Sequence, residues 1–341
     1  VVMGTQENKA ILKASGMLLP EFDTAGDTDL LIGIKIEDDT LLKDALHQVD
    51  VLLEELRHRT DDTSDFLPKS LAGALHVIPD ANIVLISVAG KYAADEARKA
   101  FKQGLHVMIF SDNVPLEEEI ELKKSGREKG LLVMGPDCGT AIINGVPLAF
   151  ANVVNRGDIG IVAASGTGLQ EVCCVISHQG AGISQAIGTG GRDVTQEVGG
   201  IMFLEGLKAL NQDEKTKIIV LVSKPPHEDV LKKIAENVRD IEKPVVAIFI
   251  GGDAEIIQRA GAIPAKTLEE AGLLAAALSQ GKDSETVKTV LEERTEALKA
   301  LAAEEAEKRQ ESQKYLSGLF SGGTLCDEAQ VILRDIVGNV Y

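Results

Sequence analysis

The sequence has no tryptophan and few aromatics of any kind, 3% of its 341 residues. Its interior must therefore be built from Val, Ile, Leu and Ala, as in sheets covered on both faces by helices. The four cysteines, Cys138, Cys173, Cys174 and Cys326, form no Cys-x-x-Cys pair. That spacing excludes a zinc ribbon and a dithiol redox motif, and no metal is expected on this chain. Cys173 and Cys174 read as small core hydrophobes. Free thiols fit a reducing compartment, so a cytoplasmic location is expected. No apolar run approaches the ~20 residues that span a bilayer. No signal peptide is visible, and no membrane partner is expected. Basic residues are outnumbered, 35 Lys and Arg against 53 Asp and Glu, for a net charge of −18. That balance argues against a nucleic-acid partner. It leaves room for a small anionic ligand, which helix dipoles and a few cations can hold. No Gly-x-x-x-x-Gly-Lys-Ser/Thr string occurs, so nucleotide phosphate chemistry would need another domain or chain.

What is present is an alternation of short apolar runs with longer amphipathic ones. Strands are expected at Leu30–Ile36, Ile83–Ala89, Val107–Phe110, Leu131–Met134, Ile159–Ala163, Lys217–Val222 and Val245–Ile250. They are short, β-branched and continuous, as buried parallel strands are. Helices are expected near 92–103, 116–129, 167–179, 196–210, 227–240 and 268–280. This order implies an α/β fold of doubly wound parallel sheets with right-handed crossovers. Asp61 to Pro68 reads as a polar loop. A domain boundary is expected between Gly145 and Asp158, a stretch marked by Asn144-Gly145, Pro147 and Arg156-Gly157-Asp158. From Lys282 to Gln313 charges crowd in while Val287, Leu291, Leu298 and Leu301 keep helical spacing, the pattern of an exposed linker helix. Ser321-Gly322-Gly323-Thr324-Leu325 then repeats the style of Ser165-Gly166-Thr167-Gly168-Leu169. The ends, Val1-Val2-Met3-Gly4 and Tyr341, read as cuts in a longer chain.

Three glycine-rich turns carry the chemistry. After the strand at Ile159–Ala163, Ser165-Gly166-Thr167 opens a helix. First-turn amides have no intrahelical partner, the dipole adds about half a positive charge, and the hydroxyls add donors, which together can cradle a phosphate. The same residues would equally serve as a simple helix cap. Gly188-Thr189-Gly190-Gly191-Arg192-Asp193 is a second such turn, half a dinucleotide fingerprint, with Arg192 suited to an oxyanion. An ordinary strand-to-helix loop is the competing reading. Gly135-Pro136-Asp137-Cys138-Gly139-Thr140 follows the strand at Leu131–Met134, at the carboxyl end where doubly wound sheets bind ligands.

In that order and spacing, these strings resemble the α subunit of succinyl-CoA synthetase and the wider NDP-forming acyl-CoA synthetases, from about Ala81 to Ile263. The family's Gly-Pro-Asn-Cys looks like Gly135 to Cys138, its Gly-Ile-Val-x-x-Ser-Gly-Thr like Gly160 to Thr167, and its Gly-Ile-Gly-Gly-Asp like Gly188 to Asp193. Its Lys-Pro-Val-Val looks like Lys243 to Val246. Val88-Ala89-Gly90, Phe110-Ser111-Asp112-Asn113 and Pro147 to Val153 further resemble the FdrA branch, over nearly the whole chain. The resemblance implies a Rossmann-like CoA-binding-type domain over 1–150 and a flavodoxin-like ligase-type domain over 151–281. A helical linker over 282–318 and the start of a second ligase-type domain over 319–341 would follow. It implies a cofactor site, with CoA possible, at Gly4, Thr5, Gln6, Val88, Ala89, Gly90, Asp112, Asn113, Pro136, Asp137 and Cys138. A phosphate site would comprise Ser165, Gly166, Thr167, Gly190 and Gly191. Assembly with a second subunit or another copy of the chain is also implied.

Departures from the family set the expected chemistry. Its phosphorylated histidine, in His-Ala-Gly-Ala-Ile, matches Arg259 of Arg259-Ala260-Gly261-Ala262-Ile263, and arginine stays protonated and non-nucleophilic. The family glutamate that steadies phosphohistidine matches Lys224. Lys224, Arg192 and Arg259 are therefore the expected catalytic cations. His178 sits at a helix end, and His227, after Pro225-Pro226, is a minority acid–base candidate. His47, His58, His76 and His106 read as structural or surface residues. The expected reaction is acyl or carbamoyl transfer through a phosphate-bearing compound, of the oxamate and carbamoyl phosphate type, without phosphohistidine. A nucleotide-dependent acyl-CoA synthetase and a non-catalytic binding or regulatory subunit are the alternatives.

Overall fold

The computed structural model describes every residue except 1, 15, 27–28, 35–37, 62–67, 311, 339 and 341. The end of the expected strand at 30–36, most of the expected polar loop before Pro68 and the terminal Tyr341 lie outside the described residues. The chain divides into two compact units, Val1–Pro68 and Lys69–Tyr341. A division at Pro68 is not among the boundaries expected from the sequence.

In the first unit, β1 (Val2–Met3) runs into α1 (Gln6–Ala14), and β2 (Leu30–Leu31) and α2 (Leu42–Asp61) follow. β1 and β2 pair antiparallel, Val2 with Leu31 and Met3 with Leu30. The buried ammonium of Lys9 donates to the carbonyl of Ala25 at 2.6 Å, tying α1 to the turn before β2.

The second unit opens with α3 (Leu71–Val77), β3 (Ile83–Ile86), α4 (Gly90–Lys102), β4 (His106–Ile109), α5 (Leu116–Glu128) and β5 (Val133–Met134). The three strands form a parallel sheet in sequence order. Ala93, Ala97 and Ala100 of α4 lie on it, their small side chains letting the helix approach closely.

Next come β6 (Thr140–Ile143), β7 (Val146–Ala149), β8 (Arg156–Ala163), α6 (Gly166–His178), β9 (Ile183–Gly188), α7 (Ile201–Gln212), β10 (Ile218–Ser223), α8 (Glu228–Arg239), β11 (Val245–Phe249), α9 (Glu255–Arg259), β12 (Ile263–Pro264) and α10 (Leu268–Ser279). Their seven strands lie in the order β12-β11-β10-β8-β9-β6-β7. All pair in parallel except the β6–β7 hairpin and its junction with β9. Successive residues of a strand face opposite sides. On β10, Ile219 and Leu221 meet α7 and α8, while Ile218, Val220 and Val222 meet α6 and α10. The α/β fold expected from the sequence is the one observed.

Three differences have simple causes. Asn144 and Gly145, expected to open a boundary, both take left-handed φ angles, +51° and +73°, and turn the β6–β7 hairpin. Asn-Gly favours that tight turn. The hairpin lies before the boundary expected at 150, yet it edges the larger sheet. β9 has no counterpart among the expected strands, because its apolar residues are interrupted by Ser184 and Gln185. The helix expected from 196 begins at Ile201, after Gly199 and Gly200 at φ +77° and +74°. The long exposed helix is α11 (Glu285–Glu307), with Val287 buried and Leu298 and Leu301 exposed. The last element, α12 (Gly323–Val337), packs back onto α6. No described helix is long and apolar enough to cross a membrane.

The loop after β9 has no slack. Gly190 sits at φ +83°, and a Cβ there would lie 2.4 Å from the carbonyl oxygen of Pro136. Gly190→Ala should therefore destabilise the protein by about 3 kcal/mol, from left-handed strain plus overpacking, read as a lowered urea midpoint.

Candidate functional site

β8 delivers the chain to Ser165 in extended conformation, and α6 starts at the next residue. The Ser165 hydroxyl accepts from the amide of Gly168 at 3.0 Å, so the capping role is real. The same hydroxyl also lies 2.6 Å from the Thr324 hydroxyl, in the first turn of α12. A Cβ on Gly322 would fall 2.5 Å from the Thr167 methyl, so only glycine fits where the two turns touch. Two helix N-termini thus meet, each with about half a positive charge and unused first-turn amides. Gly166 and Gly323 are exposed at this junction and Thr167 is half-buried.

One face of α12 makes the docking. Thr324 bonds Ser165, and Asp327 pairs with the Lys224 ammonium at 2.7 Å. Glu328 accepts from the Leu268 amide at 2.6 Å, and Val331 lies against Gly251. Positions 324, 327, 328 and 331 share one helical stripe. Burial pushes the Glu328 carboxyl above its ordinary range, partly offset by its hydrogen bond from Leu268. Lys224 stands at the carboxyl end of β10, and its charge is already matched by Asp327.

The structure places both arginines against carboxylates. The Arg192 Nε pairs with Glu119 at 2.7 Å and its guanidinium donates to the Val114 carbonyl at 2.8 Å. It is engaged to α5 and the segment before it, because Glu119 is buried and needs a cation. Arg259 is three-quarters exposed on α9 and pairs with Glu255 one turn back. No described hydrogen bond or ion pair joins Arg259 to the α6–α12 junction. Gly191 does border the junction, since a Cβ there would lie 3.8 Å from the Ala164 carbonyl, while Gly190 faces Pro136. His227 caps α8, its Nδ1 accepting from the Asp229 amide, and His106 Nδ1 accepts from the Leu132 amide. Both are used structurally.

A concavity of about 390 Å³ opens at the carboxyl ends of β3–β5. Val88, Asp112 and Asp137 line it, together with Ser87, Phe110, Ser111, Gly139 and Phe150. Ala89 and Gly90 open α4 beside it, and Asn113, Pro136 and Cys138 belong to its framing turns. Phe110 and Phe150 meet edge to face at 5.1 Å. Cys138 is buried, with its thiol 3.3 Å from the Gly188 carbonyl, and burial raises its pKa to about 11. Gly4, Thr5 and Gln6 belong instead to the first unit. There the Gly4 amide donates to the Asp29 carbonyl, and the Thr5 hydroxyl accepts from the Asn8 amide at the start of α1.

The cavity suits the uncharged parts of a CoA-type cofactor. Aromatic edges fit a base, and carboxylates and hydroxyls fit a ribose. Its lining holds no cation for phosphates, so these would have to lie toward the α4 N-terminus and the neighbouring Lys91. Thr324 lies in the second glycine turn noted in the sequence, but its meeting with Ser165 was not expected, and Asp327, Glu328 and the Phe110–Phe150 pair were missed as site residues. The available signals were the likeness of Ser321-Gly322-Gly323-Thr324 to Ser165-Gly166-Thr167 and a phenylalanine after each of two strands.

Comparison with known proteins agrees with parts of this picture. Residues 154–251 match a family model described as a CoA binding domain, over β8 to β11. That match falls on the segment expected to be ligase-type rather than on residues 1–150. Residues 1–66 match a model described as the AllF heavy metal-associated domain. Those residues contain no cysteine, so they offer no thiolate to a soft metal. No metal-holding group of three or more His, Cys, Asp or Glu occurs among the described residues. The whole chain is 42% identical over 341 residues to YahF of Escherichia coli K12, covering 65% of it. Over 186 residues, 53% of the chain, it is 30% identical to subunit alpha 1 of an ADP-forming succinate–CoA ligase from Archaeoglobus fulgidus, covering 62% of that protein. The chain therefore spans less than two thirds of these curated relatives. The ATP citrate lyase of Methanothrix soehngenii, solved with citrate and coenzyme A, superposes with a TM-score of 0.52 at 17% identity. That likeness covers 75% of this chain and 48% of the lyase, and it shows a common fold.

The Ser165–Thr324 bond gives a direct test of the junction. Ser165→Ala should cost about 1–2 kcal/mol through the lost cap and hydrogen bond, and Thr324→Ala about 1 kcal/mol. In a double-mutant cycle by urea unfolding, the two should couple by about 0.5–1.5 kcal/mol.

Proposed function

We propose that this chain is a CoA-ligase-type subunit of a succinyl-CoA-synthetase-like enzyme, and that it holds the phosphate of an acyl or carbamoyl phosphate at the α6–α12 junction. The observation that carries the reading is the meeting of two helix N-termini across Ser165 and Thr324. Phosphate oxygens at such a place accept from unused amides and hydroxyls while both dipoles favour the negative charge. Gly166, Thr167 and Gly191 border that place, and Lys224 stands beside it, paired with Asp327. Charge developing on a leaving phosphate is stabilised there by dipoles fixed in advance, which asks for no covalent histidine. The partner substrate is a small carboxylate of the oxamate type. The cavity beside β3–β5 takes the base and ribose of CoA where CoA takes part. The chain works with a second subunit or a second copy.

The alternative is a nucleotide-dependent acyl-CoA synthetase, favoured by the likeness to the succinate–CoA ligase subunit. It requires a phosphorylated residue, and a phosphoprotein that is acid-labile and base-stable would replace our reading.

The test is thermal and chemical stability with phosphate, carbamoyl phosphate, oxamate, CoA and ATP. A ligand at 100 times its Kd adds about 2.7 kcal/mol. Phosphate or carbamoyl phosphate should stabilise the protein, and Lys224→Ala should abolish most of the shift. Asp327→Asn should act oppositely: it frees Lys224 from an exposed pair, and phosphate should bind about two- to fivefold tighter. Stabilisation by CoA and ATP alone would transfer the assignment to the synthetase.

A further inference from the structure

Lys123, on α5, carries a charge on a fully inaccessible side chain. Its ammonium makes three contacts: Glu119 Oε1 at 2.7 Å, Asp193 Oδ1 at 2.9 Å and the Thr189 carbonyl at 2.9 Å. Asp193, also inaccessible, accepts from the Phe203 amide at 2.6 Å and the Met202 amide at 3.3 Å, capping α7. Glu119 shares its second oxygen with Arg192. The four side chains sum to zero charge.

Such a buried set is poor evidence of stability, because apolar replacements often do as well. What it fixes is position. Two of the three groups bonded by Lys123 lie on the turn from Thr189 to Asp193. On its other side, the Thr189 amide donates to the Ala163 carbonyl at 2.8 Å, two residues before Ser165. Gly190 then abuts the Pro136 carbonyl, and Gly188 abuts the Cys138 thiol and the Thr140 carbonyl. The turn is therefore a partition. One flank faces the residues leading to the α6 N-terminus, and the other backs the Pro136–Cys138 turn of the cavity at β3–β5.

We propose that Lys123 is a positioning residue for both candidate ligand sites: it touches neither, and by holding the Thr189–Asp193 turn it sets the wall they share. For the phosphate arm this rests on the function proposed above. The Cys138 arm stands without it, since the Cys138 thiol lies against Gly188, which leads into the turn, and Gly190 of the turn abuts Pro136 two residues before Cys138.

The test is the double variant Glu119→Gln/Lys123→Met, which removes one charge of each sign and keeps the Asp193 cap of α7. Two quantities are read on the full chain: affinity for inorganic phosphate, and alkylation rates of Cys138 and Cys173 by mass spectrometry. Cys173 lies in the α6 core away from the turn, so it reports global loosening. The expected result is phosphate binding weakened about tenfold and Cys138 alkylated at least about tenfold faster, with Cys173 unchanged. Glu119→Gln alone, which keeps the side-chain shape, should shift both readouts the same way by less, and it serves if the double variant does not fold. Unchanged affinity and unchanged Cys138 protection would overturn the proposal, as would Cys138 and Cys173 speeding up together. If the unmodified protein fails to bind phosphate while Cys138 still opens selectively, the phosphate site falls and the hold of Lys123 on the turn stands.

Discussion

The ammonium of Lys123 has no water to fall back on, so everything around it must stay where it is. Removing an ion from water costs several kcal/mol even after relaxation, and the return comes only with close partners in good geometry. Here those partners are two carboxylates and a main-chain carbonyl from two segments, α5 and the turn after β9, and Asp193 of that turn also caps the start of α7. The smaller sheet supplies α5 and the larger sheet supplies the turn. One buried charge thus ties the carboxyl-end loops of the two sheets together within the second unit. Met202 repeats the tie in apolar form, packing among the residues of the smaller sheet from the first turn of α7.

With the turn fixed, the carboxyl edge of the larger sheet is left to α6 and α12. Neutral groups join them: a hydroxyl pair and a glycine seated on a methyl. Because α12 docks through positions 324, 327, 328 and 331, its N-terminal amides arrive beside those of α6 as a consequence of packing. The acidic members of that stripe are each used, Asp327 by Lys224 and Glu328 by the Leu268 amide. The junction consequently carries the partial charges of two dipoles, with the adjacent Lys224 balanced by Asp327.

The sequence revealed the architecture where periodicity was clean. β8, β10 and β11 are continuous apolar runs and fall where expected. β9 escaped because Ser184 and Gln185 break its run, the former satisfied by Thr216 inside the sheet. The β6–β7 hairpin was hidden behind Asn144-Gly145, whose turn chemistry suits a hairpin as well as a boundary. At the site, Ser165, Gly166 and Thr167 stand where the motif put them, because a strand end and a helix start fix backbone geometry locally. The cations could not be read so easily. Whether an arginine is free depends on which carboxylate comes near in space, and Glu119 lies 73 positions before Arg192, on α5. The same holds for Asp327, which reaches Lys224 across a hundred residues.

The balance at Lys224 constrains any anion that enters the junction. It meets amides and hydroxyls that can serve it at once, but the ammonium only in competition with Asp327. A singly charged ligand gains little by that exchange, since it trades one carboxylate for another around the same cation. A dianion, or an anion that also offers an N–H or O–H to the displaced Asp327, gains on both sides, because the charged hydrogen bond is kept while a second one forms. If the junction holds a phosphate as proposed, the pair Lys224–Asp327 would select on charge and donor content, a constraint imposed by packing α12 onto α6 and not by either helix alone.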